Sequence, residues 1–221
     1  MEIYFVRHGE PNYELDALTE NGKIQAEKTS KFLNEYDYDL FFSSPNGRAR
    51  ETASHLCSKK ETTPIILPFL SEDTAFTHYG FHNEVHNNRR WVFYSPKGFN
   101  VLNELSLKYD WYNHDLFKDY KFKEAVEYYE KEVDKWLLTL GIKHNRENKT
   151  FIKIEGANVP NRVILFAHGG AAMAFFSSIL DLPYSYVSTH FKHLELCGVS
   201  VLNINLEKQA ISLNSYNQIY Y

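Results

Sequence analysis

The sequence has little cysteine, no long apolar run and no excess of positive charge. Cys57 and Cys197 are the only cysteines among 221 residues, so neither a disulfide framework nor a cysteine-based metal cluster is expected. No stretch approaches the roughly 18 apolar residues that a membrane-spanning helix needs. The formal net charge of −4 disfavours a general nucleic-acid binder and a binder of anionic membranes. Together with the lack of a leader-like N-terminus, these absences predict a cytoplasmic protein without nucleic-acid or membrane partners.

What the chain does contain is enough apolar surface for a sizeable core. Hydrophobic residues make up 43% of the chain and aromatic residues 16%. Strands are predicted at residues 3–6, 39–43, 64–67 and 162–167, and helices at residues 19–36, 48–59, 117–140 and 171–180. Two further strands, at 196–205 and 210–215, are predicted to close the sheet as antiparallel neighbours. Strands that alternate with helices in this way indicate βαβ units and therefore a parallel sheet.

Residues 69–113 are rich in aromatic side chains and lack a regular period. The segment is too apolar for a linker, so we interpret it as a lid-like insertion over one edge of the sheet. The sequence Trp-Val-Phe-Tyr at 91–94 favours packing and leaves an aromatic specificity wall open as an alternative. His78, His82 and His86 would line one face of a helix. Because no carboxylate or cysteine motif flanks them, we predict no metal site.

Polar motifs follow three of the predicted strands at the point where each strand ends. They are Arg7-His8-Gly9, His168-Gly169-Gly170 and Arg48, the last at the start of a helix. Each alone could be a solvated strand end. Because open α/β sheets bind ligands at the carboxyl ends of their strands, we expect these residues to lie together. Guanidinium groups bind phosphate bidentately, so Arg7, His8, Arg48 and His168 are predicted to form a cationic cup for an oxyanion.

Four segments carry a resemblance to a known family. They are Val6-Arg7-His8-Gly9-Glu10, Leu18-Thr19 through Gly22 to Gln25-Ala26, Ser43-Ser44-Pro45 with Arg48-Ala49-Arg50-Glu51-Thr52-Ala53, and Ala167-His168-Gly169-Gly170. In this order they resemble the histidine phosphatase superfamily, also called phosphoglycerate-mutase-like, up to about residue 180. The resemblance implies that His8 is the phosphoryl acceptor and that Arg7, Arg48, His168 and Gly169 hold the phosphate. Arg48 matches the family's arginine better than Arg50, because it lies four residues before Thr52.

Pattern and resemblance together predict one domain over residues 1–221. Its expected fold is a three-layer α/β/α sandwich with a mostly parallel central sheet and a lid-like insertion at about 69–113. The family also uses a carboxylic acid from the region after the third strand. Glu72 is the best match for this general acid, which later acts as the base, with Glu84 and then Glu104 as alternatives.

Three departures from the family pattern bear on function. Glu14 stands where many members have an asparagine, and Asn12 is a candidate replacement. Asp73 stands where the glycolytic mutases have an arginine. The pair Arg89-Arg90 is a candidate for binding substrate, although it lies too close to Glu72 for a clean match with the mutases. These departures weaken the case for a mutase and leave hydrolysis untouched.

The resulting expectation is a metal-independent phosphatase without a cofactor. It would hydrolyse a small phosphomonoester through a phosphohistidine on His8, with His168 as a further catalytic residue. The first alternative is a phosphoglycerate mutase, and the second is a non-catalytic protein that binds phosphorylated ligands in the cationic cup. The identity of the substrate depends on residues 69–113, where the match to the family is poor.

Overall fold

The structure is a computed structural model that describes residues 1–83 and 88–221. The strands are β1 (Glu2–Arg7), β2 (Pro11–Asn12), β3 (Ala17–Leu18), β4 (Leu40–Ser43), β5 (Ile65–Ile66), β6 (Gly80–Asn83), β7 (Asn88–Trp91), β8 (Ile142–Asn145), β9 (Thr150–Lys153), β10 (Arg162–Ala167), β11 (Val199–Asn205) and β12 (Ala210–Gln218). The α-helices are α1 (Glu20–Leu33), α2 (Gly47–Cys57), α3 (Glu72–Tyr79), α4 (Pro96–Glu104), α5 (Phe122–Thr139), α6 (Gly169–Ile179) and α7 (Tyr184–His190).

The central sheet has six strands in the order β12-β11-β1-β10-β4-β5. The neighbours β1, β10, β4 and β5 pair in parallel, whereas β11 pairs antiparallel with both β1 and β12. This arrangement confirms the mostly parallel α/β sheet and the antiparallel closing strands. The three remaining pairs, β2–β3, β6–β7 and β8–β9, are small antiparallel ladders outside the central sheet.

Strand β1 is buried on both faces, which explains its continuous apolar sequence. Ile3 and Phe5 belong to the large hydrophobic cluster that includes residues of α5 and α6. Tyr4 and Val6 point to the opposite face and join a second cluster with residues of α1 and α2. Because successive side chains of a strand alternate between faces, helices cover the sheet on both sides and form three layers.

Residues 69–113 contain more regular structure than their sequence indicates. They form α3, the β6–β7 hairpin, α4 and short 3₁₀ helices. Helix α3 ends at Tyr79 and His82 lies on β6, so the two histidines do not share a helix face, contrary to the expected spacing. His86 lies outside the described residues. Among the helices of residues 1–83 and 88–221, none is long and apolar enough to cross a membrane.

Candidate active site

Strands β1, β10 and β4 lie side by side and end at the same edge of the sheet. The residue after β1 is His8, the residue after β10 is His168, and the residue after β4 is Ser44. The ring centroids of the two histidines are 5.0 Å apart. Ser44 Oγ lies 2.8 Å from Nε2 of His168. The sheet topology therefore assembles motifs that are more than 120 residues apart in sequence.

His8 is buried, with 2% of its surface exposed. Its Nδ1 lies 2.7 Å from the carbonyl oxygen of Gly9. Because a carbonyl can only accept, Nδ1 carries the ring proton and Nε2 keeps a free electron pair. Burial is the largest cause that lowers the pKa of His8 to about 3, and the charges of Arg7 and Arg48 lower it further. The Gly9 carbonyl and Asp16 act in the opposite direction without outweighing them. The ring is therefore neutral near pH 7.

Gly9 allows the backbone to approach helix α1 closely. A Cβ on Gly9 would lie 2.6 Å from the carbonyl oxygen of Gly22, so a side chain at this position has no room. The Gly9 N–H donates to Thr52 Oγ1 at 3.1 Å. The Thr52 hydroxyl in turn donates to the carbonyl oxygen of Arg48 at 2.8 Å. The residue after His8 is thus held by both α1 and α2.

Arg48 lies in the first turn of α2, where Asp16 orients it. Its Nη1 donates to Asp16 Oδ1 at 2.5 Å, and the Gly47 N–H donates to Oδ2 at 2.6 Å. Arg48 is 6% exposed, and its Nε has no hydrogen-bond partner among the residues the structure describes. Arg50, two residues later on the same helix, is exposed. A buried guanidinium with a donor to spare can receive an oxyanion.

Arg7 crosses the start of helix α6. Its Nη1 donates to the carbonyl oxygen of Leu194. Its Nε is buried and, within residues 1–83 and 88–221, has no hydrogen-bond partner. A Cβ on Gly169 would lie 3.5 Å from this Nε, so the guanidinium lies against the first residue of α6. A helix N-terminus and an arginine donor consequently face the same space, which favours binding of an anion.

His168 is fully buried, and its Nδ1 has no hydrogen-bond partner in the described part of the chain. Burial lowers the pKa of His168 well below its usual value, and His8 and the two arginines lower it further. The Ser44 hydroxyl has one proton and two acceptors within reach, Nε2 of His168 at 2.8 Å and Asn46 Oδ1 at 3.0 Å. When Ser44 donates to Nε2, Nδ1 of the neutral ring carries the proton and is a free donor.

Glu72 is the first residue of α3 and reaches the first turn of α6. Its backbone N–H donates to Asn46 Oδ1 at 3.2 Å, which fixes the start of α3 against the N-cap of α2. Its carboxylate Oε2 accepts the N–H of Ala171 at 3.4 Å. Burial raises the pKa of Glu72, although the Ala171 N–H and the charges of Arg48 and Arg7 lower it in part. The carboxyl group therefore holds its proton to a higher pH than an exposed glutamate does.

The structure does not bring every predicted residue to the cationic cup. Asn12 Oδ1 accepts two backbone N–H groups of its own loop at 3.1 and 3.2 Å. Arg89 Nη2 donates to two carbonyl oxygens at the end of α3 at 3.2 and 3.3 Å, and Arg90 is exposed on β7. Their roles in binding substrate stay predictions. Glu84 lies outside the described residues, and Glu104 is exposed at the end of α4.

Sequence reasoning assigned no role to Ser44, Asp16 or His193, although all three contact the cup or its arginines. Ser44 had a signal, since it is a polar residue directly after a strand. Asp16 is a single acid in a loop, and its left-handed backbone (φ 46°) shows only in the structure. His193 lies beside the first turn of α6, with Nδ1 3.7 Å from where a Cβ on Gly169 would be. A lone histidine in an irregular segment gives no signal.

The assembled side chains can bind an anion and present a neutral nucleophile to it. The arginines and the N-terminus of α6 supply donors, and Nε2 of His8 supplies an electron pair. Glu72 supplies a buried carboxyl group against the first turn of α6. Within the part of the chain that the structure describes, no group of three or more His, Cys, Asp or Glu side chains could hold a metal ion.

Comparison with known sequences identifies a family over the N-terminal part of the chain. Residues 3–96 match the family model described as the histidine phosphatase superfamily (branch 1). The resemblance seen in the sequence is therefore confirmed for residues 3–96. Arg7, His8, Arg48 and Glu72 lie within the matched range, and His168 lies beyond it. No protein in the curated collection of sequences matches the chain.

Solved structures share the fold along nearly the whole chain. A phosphoserine phosphatase from Entamoeba histolytica, solved with phosphoserine, has a TM-score of 0.61 and 18% identity over 98% of this chain and 96% of its own. A mycobacterial glucosyl-3-phosphoglycerate phosphatase, solved with VO3, has a TM-score of 0.62 and 16% identity over 98% of each chain. The α-ribazole phosphatase from Shigella flexneri has a TM-score of 0.58 and 18% identity over 99% of this chain and 96% of its own. At these identities the likeness establishes the fold.

Proposed function

We propose, from the premise that residues 3–96 belong to the histidine phosphatase superfamily, that the protein hydrolyses a small phosphomonoester through a phosphohistidine on His8. The observation that carries this proposal is a buried, neutral His8 with its proton fixed on Nδ1 beside two buried arginine donors. A free Nε2 is what a nucleophile needs, and unused guanidinium donors are what a phosphate needs. That the similar structures include three phosphatases supports the same reaction class.

Binding of the phosphate would use donors that the protein itself leaves unused. Nε of Arg7, Nε of Arg48 and Nδ1 of His168 are all buried without partners among the described residues. The backbone N–H groups at the start of α6, including that of Gly169, add partial positive charge. These groups would stabilise negative charge on the equatorial phosphoryl oxygens during transfer. Because protein groups supply this charge, the proposed reaction proceeds without a metal ion.

The reaction proceeds in two displacements at phosphorus. In the first, Nε2 of His8 attacks phosphorus, the ester P–O bond breaks, and Glu72 gives its proton to the departing oxygen. In the second, the Glu72 carboxylate takes a proton from water as that water attacks phosphorus. The P–N bond then breaks, and inorganic phosphate leaves. The raised pKa of Glu72 favours the protonated form that the first step requires.

The contacts of α3 and β7 favour hydrolysis over the mutase alternative. A mutase must hold a second anionic group of its substrate. Next to Glu72, however, stands the carboxylate of Asp73, which accepts a hydrogen bond from Asn46 Nδ2 at 2.9 Å. Arg89 is engaged by main-chain carbonyl oxygens rather than free at the cup.

We further propose that residues 69–113 are a lid-like insertion of a single domain, because their buried side chains join the hydrophobic cluster of the sheet.

The proposal is tested by trapping the covalent intermediate. Rapid quenching in alkaline detergent, with phenyl phosphate radiolabelled at phosphorus, should give a phosphoprotein that is stable in base and loses its label in acid. His8→Ala should abolish labelling, and labelling of the unsubstituted protein should persist in EDTA. His190→Ala is the matched control, because His190 is an exposed histidine at the end of α7, and it should label normally. Equal labelling of the His8→Ala protein would remove His8 from the proposed role.

A further inference from the structure

Aromatic side chains stand beside the cationic cup. The ring of Tyr13 lies 5.3 Å from Cζ of Arg48, and Tyr13 is 70% exposed. Near Gly169, the rings of Tyr94 and His193 are stacked with their centroids 5.2 Å apart, and Tyr94 is 54% exposed. Exposed aromatic faces next to a binding cup are available to a ligand.

Buried packing fixes the Tyr94 side of the cup in place. A Cβ on Gly170 would lie 2.3 Å from Cη2 of Trp91, so the indole edge occupies the space that a side chain would fill. Phe93 stacks on Trp91 at 5.5 Å and contacts the rings of Tyr94 and His193 at 4.7 Å. Trp91 and Phe93 therefore anchor the two outer rings to the first turn of α6, which is where the phosphate is proposed to bind.

The charges of Arg7 and Glu72 both act on the hydroxyl of Tyr94. Partial burial raises the pKa of Tyr94, Arg7 lowers it, and Glu72 and Tyr13 raise it further. The phenol of Tyr94 is therefore near the proposed phosphate ligand, the proposed acid and Tyr13. Since Glu72 protonates the leaving oxygen in the proposed reaction, a leaving group that extends beyond this oxygen can reach the Tyr94 ring.

We propose that Tyr13, Tyr94 and His193, here called the aromatic mouth, select phosphomonoesters whose leaving group carries a planar aromatic ring. The ring packs against both Tyr94 and Tyr13 while the phosphoryl group lies in the cationic cup. This inference rests on the proposed function and names its substrate class. His193 serves as the inner wall, since its buried Nε2 has no hydrogen-bond partner among residues 1–83 and 88–221 and can meet a polar substituent of the ring.

The test compares two esters that differ only in aromaticity. The alkyl chains of 2-phenylethyl phosphate and 2-cyclohexylethyl phosphate have the same length and nearly equal leaving-group basicity, so chemistry affects both alike. We expect kcat/KM of the unsubstituted protein to favour the phenyl ester by about 5-fold, the effect of one aromatic pair. In Tyr94→Leu and Tyr13→Leu the preference should fall to less than about 2-fold. Tyr94→Phe, which keeps the ring, should retain it.

Two controls separate the mouth from the cup. Ethyl phosphate is too short to reach the aromatic rings, so dividing kcat/KM of each longer ester by that of ethyl phosphate in the same variant removes any change in the cup itself. Tyr109→Leu replaces another exposed tyrosine, one that hydrogen bonds to the Asp181 carbonyl, and should leave the 5-fold preference unchanged. An unsubstituted protein without preference, or Tyr94→Leu and Tyr13→Leu variants that keep it, would overturn the aromatic mouth while leaving hydrolysis intact.

Binding of phosphonates distinguishes failure of the mouth from failure of the proposed function. In 2-phenylethylphosphonate and 2-cyclohexylethylphosphonate the scissile ester bond is absent, so calorimetry reports their affinity without turnover. Tighter binding of the phenyl compound, lost in Tyr94→Leu, supports the mouth even if no ester is hydrolysed. Equal affinities in a protein that hydrolyses ethyl phosphate would reject the mouth and keep the phosphatase.

Discussion

Asp16 offsets part of the positive charge of the cup before any phosphate arrives. Both of its carboxylate oxygens accept hydrogen bonds, one from Arg48 and one from the Gly47 N–H. With both histidines neutral and Glu72 protonated, Arg7, Arg48 and Asp16 leave the cup with a net positive charge, and a phosphate dianion would reverse that sign. Neutral histidines therefore let two arginines share a buried site without the full repulsion of four cations.

Replacement of Glu72 should affect poor leaving groups most. Glu72→Gln is expected to lower kcat for ethyl phosphate about 100-fold, because an alkoxide cannot leave without a proton. For p-nitrophenyl phosphate, whose leaving oxygen is a weak base, the loss should be less than about 10-fold. Steady-state assays of both esters measure the two ratios. Glu104→Gln, at an exposed acid on α4, should leave both rates unchanged. Equal losses for the two esters in Glu72→Gln would point to another acid, with Glu84 the next candidate.

The side chains of the cationic cup could be predicted because each directly follows a strand or lies in the first turn of a helix. His8, Arg48 and His168 are polar residues placed at the ends of apolar runs, and a pattern of that kind is local in sequence. The residues that orient them are not marked in this way. Asp16 meets Arg48 only because the loop between β2 and β3 folds over the start of α2. A contact between a loop and a distant helix produces no periodic pattern in the sequence, so it cannot be predicted from periodicity.

At the scale of elements, long apolar segments were predicted well and short polar ones were not. Strand β10 has the predicted bounds, and α1 begins after Thr19, whose hydroxyl accepts the N–H of Gly22 as an N-cap. Helix α3 was missed, because it is eight residues long and its buried residues are only Ala75 and Tyr79. Such an element is stabilised by what it packs against, so its own sequence carries little periodicity.

The β8–β9 hairpin is attached to the helical layer through a buried histidine. His144 Nδ1 lies 3.1 Å from Asp134 on α5, and Nε2 lies 2.8 Å from Asp181 after α6. Arg146 on the same hairpin side also donates to both aspartates. Burial alone would lower the pKa of His144, but the hydrogen bonds to the two carboxylates outweigh it and raise the pKa. The ring of His144 therefore joins β8, α5 and the segment after α6.

His144→Gln should destabilise the protein more at pH 6 than at pH 9. A histidine with a raised pKa in the folded state contributes stability that is fully present below its unfolded pKa of about 6.5 and is lost as pH rises through the folded value. We expect the variant to lose about 2 kcal/mol at pH 6 and less than about half of that at pH 9. Urea unfolding followed by circular dichroism measures both values.

Two observations would check that the effect of His144→Gln is electrostatic. The activity per folded molecule should be unchanged, because the hairpin lies outside the cup. His190→Gln, at an exposed histidine, should leave the free energy of unfolding within about 0.5 kcal/mol at pH 6, as for most surface substitutions. A loss in His144→Gln that is the same at both pH values would mean that the ring is not charged in the folded protein.

For the molecule as a whole, the hydrophobic cluster continues from the sheet into residues 69–113. The cluster includes Phe5 of β1, Phe122 of α5 and, from residues 69–113, Trp111. The walls of the cup and the core are thus parts of one packed unit, so unfolding of the core exposes His8 to water. The free energy of unfolding should therefore depend on protonation of His8 as well as on the loss of apolar contacts.

Acid should destabilise the whole protein through His8. Because its pKa is lowered to about 3, the unfolded chain binds a proton at this position that the folded chain does not, and the free energy of unfolding falls as pH drops below about 6.5. Between pH 7 and pH 5 the unsubstituted protein should lose about 2 kcal/mol more than His8→Asn, whose side chain does not titrate. Urea titrations at the two pH values measure the difference. For Ile3→Val, a buried substitution on β1, the free energy of unfolding should fall between pH 7 and pH 5 by the same amount as for the unsubstituted protein. Parallel decline of His8→Asn would instead show that folding does not lower the pKa of His8.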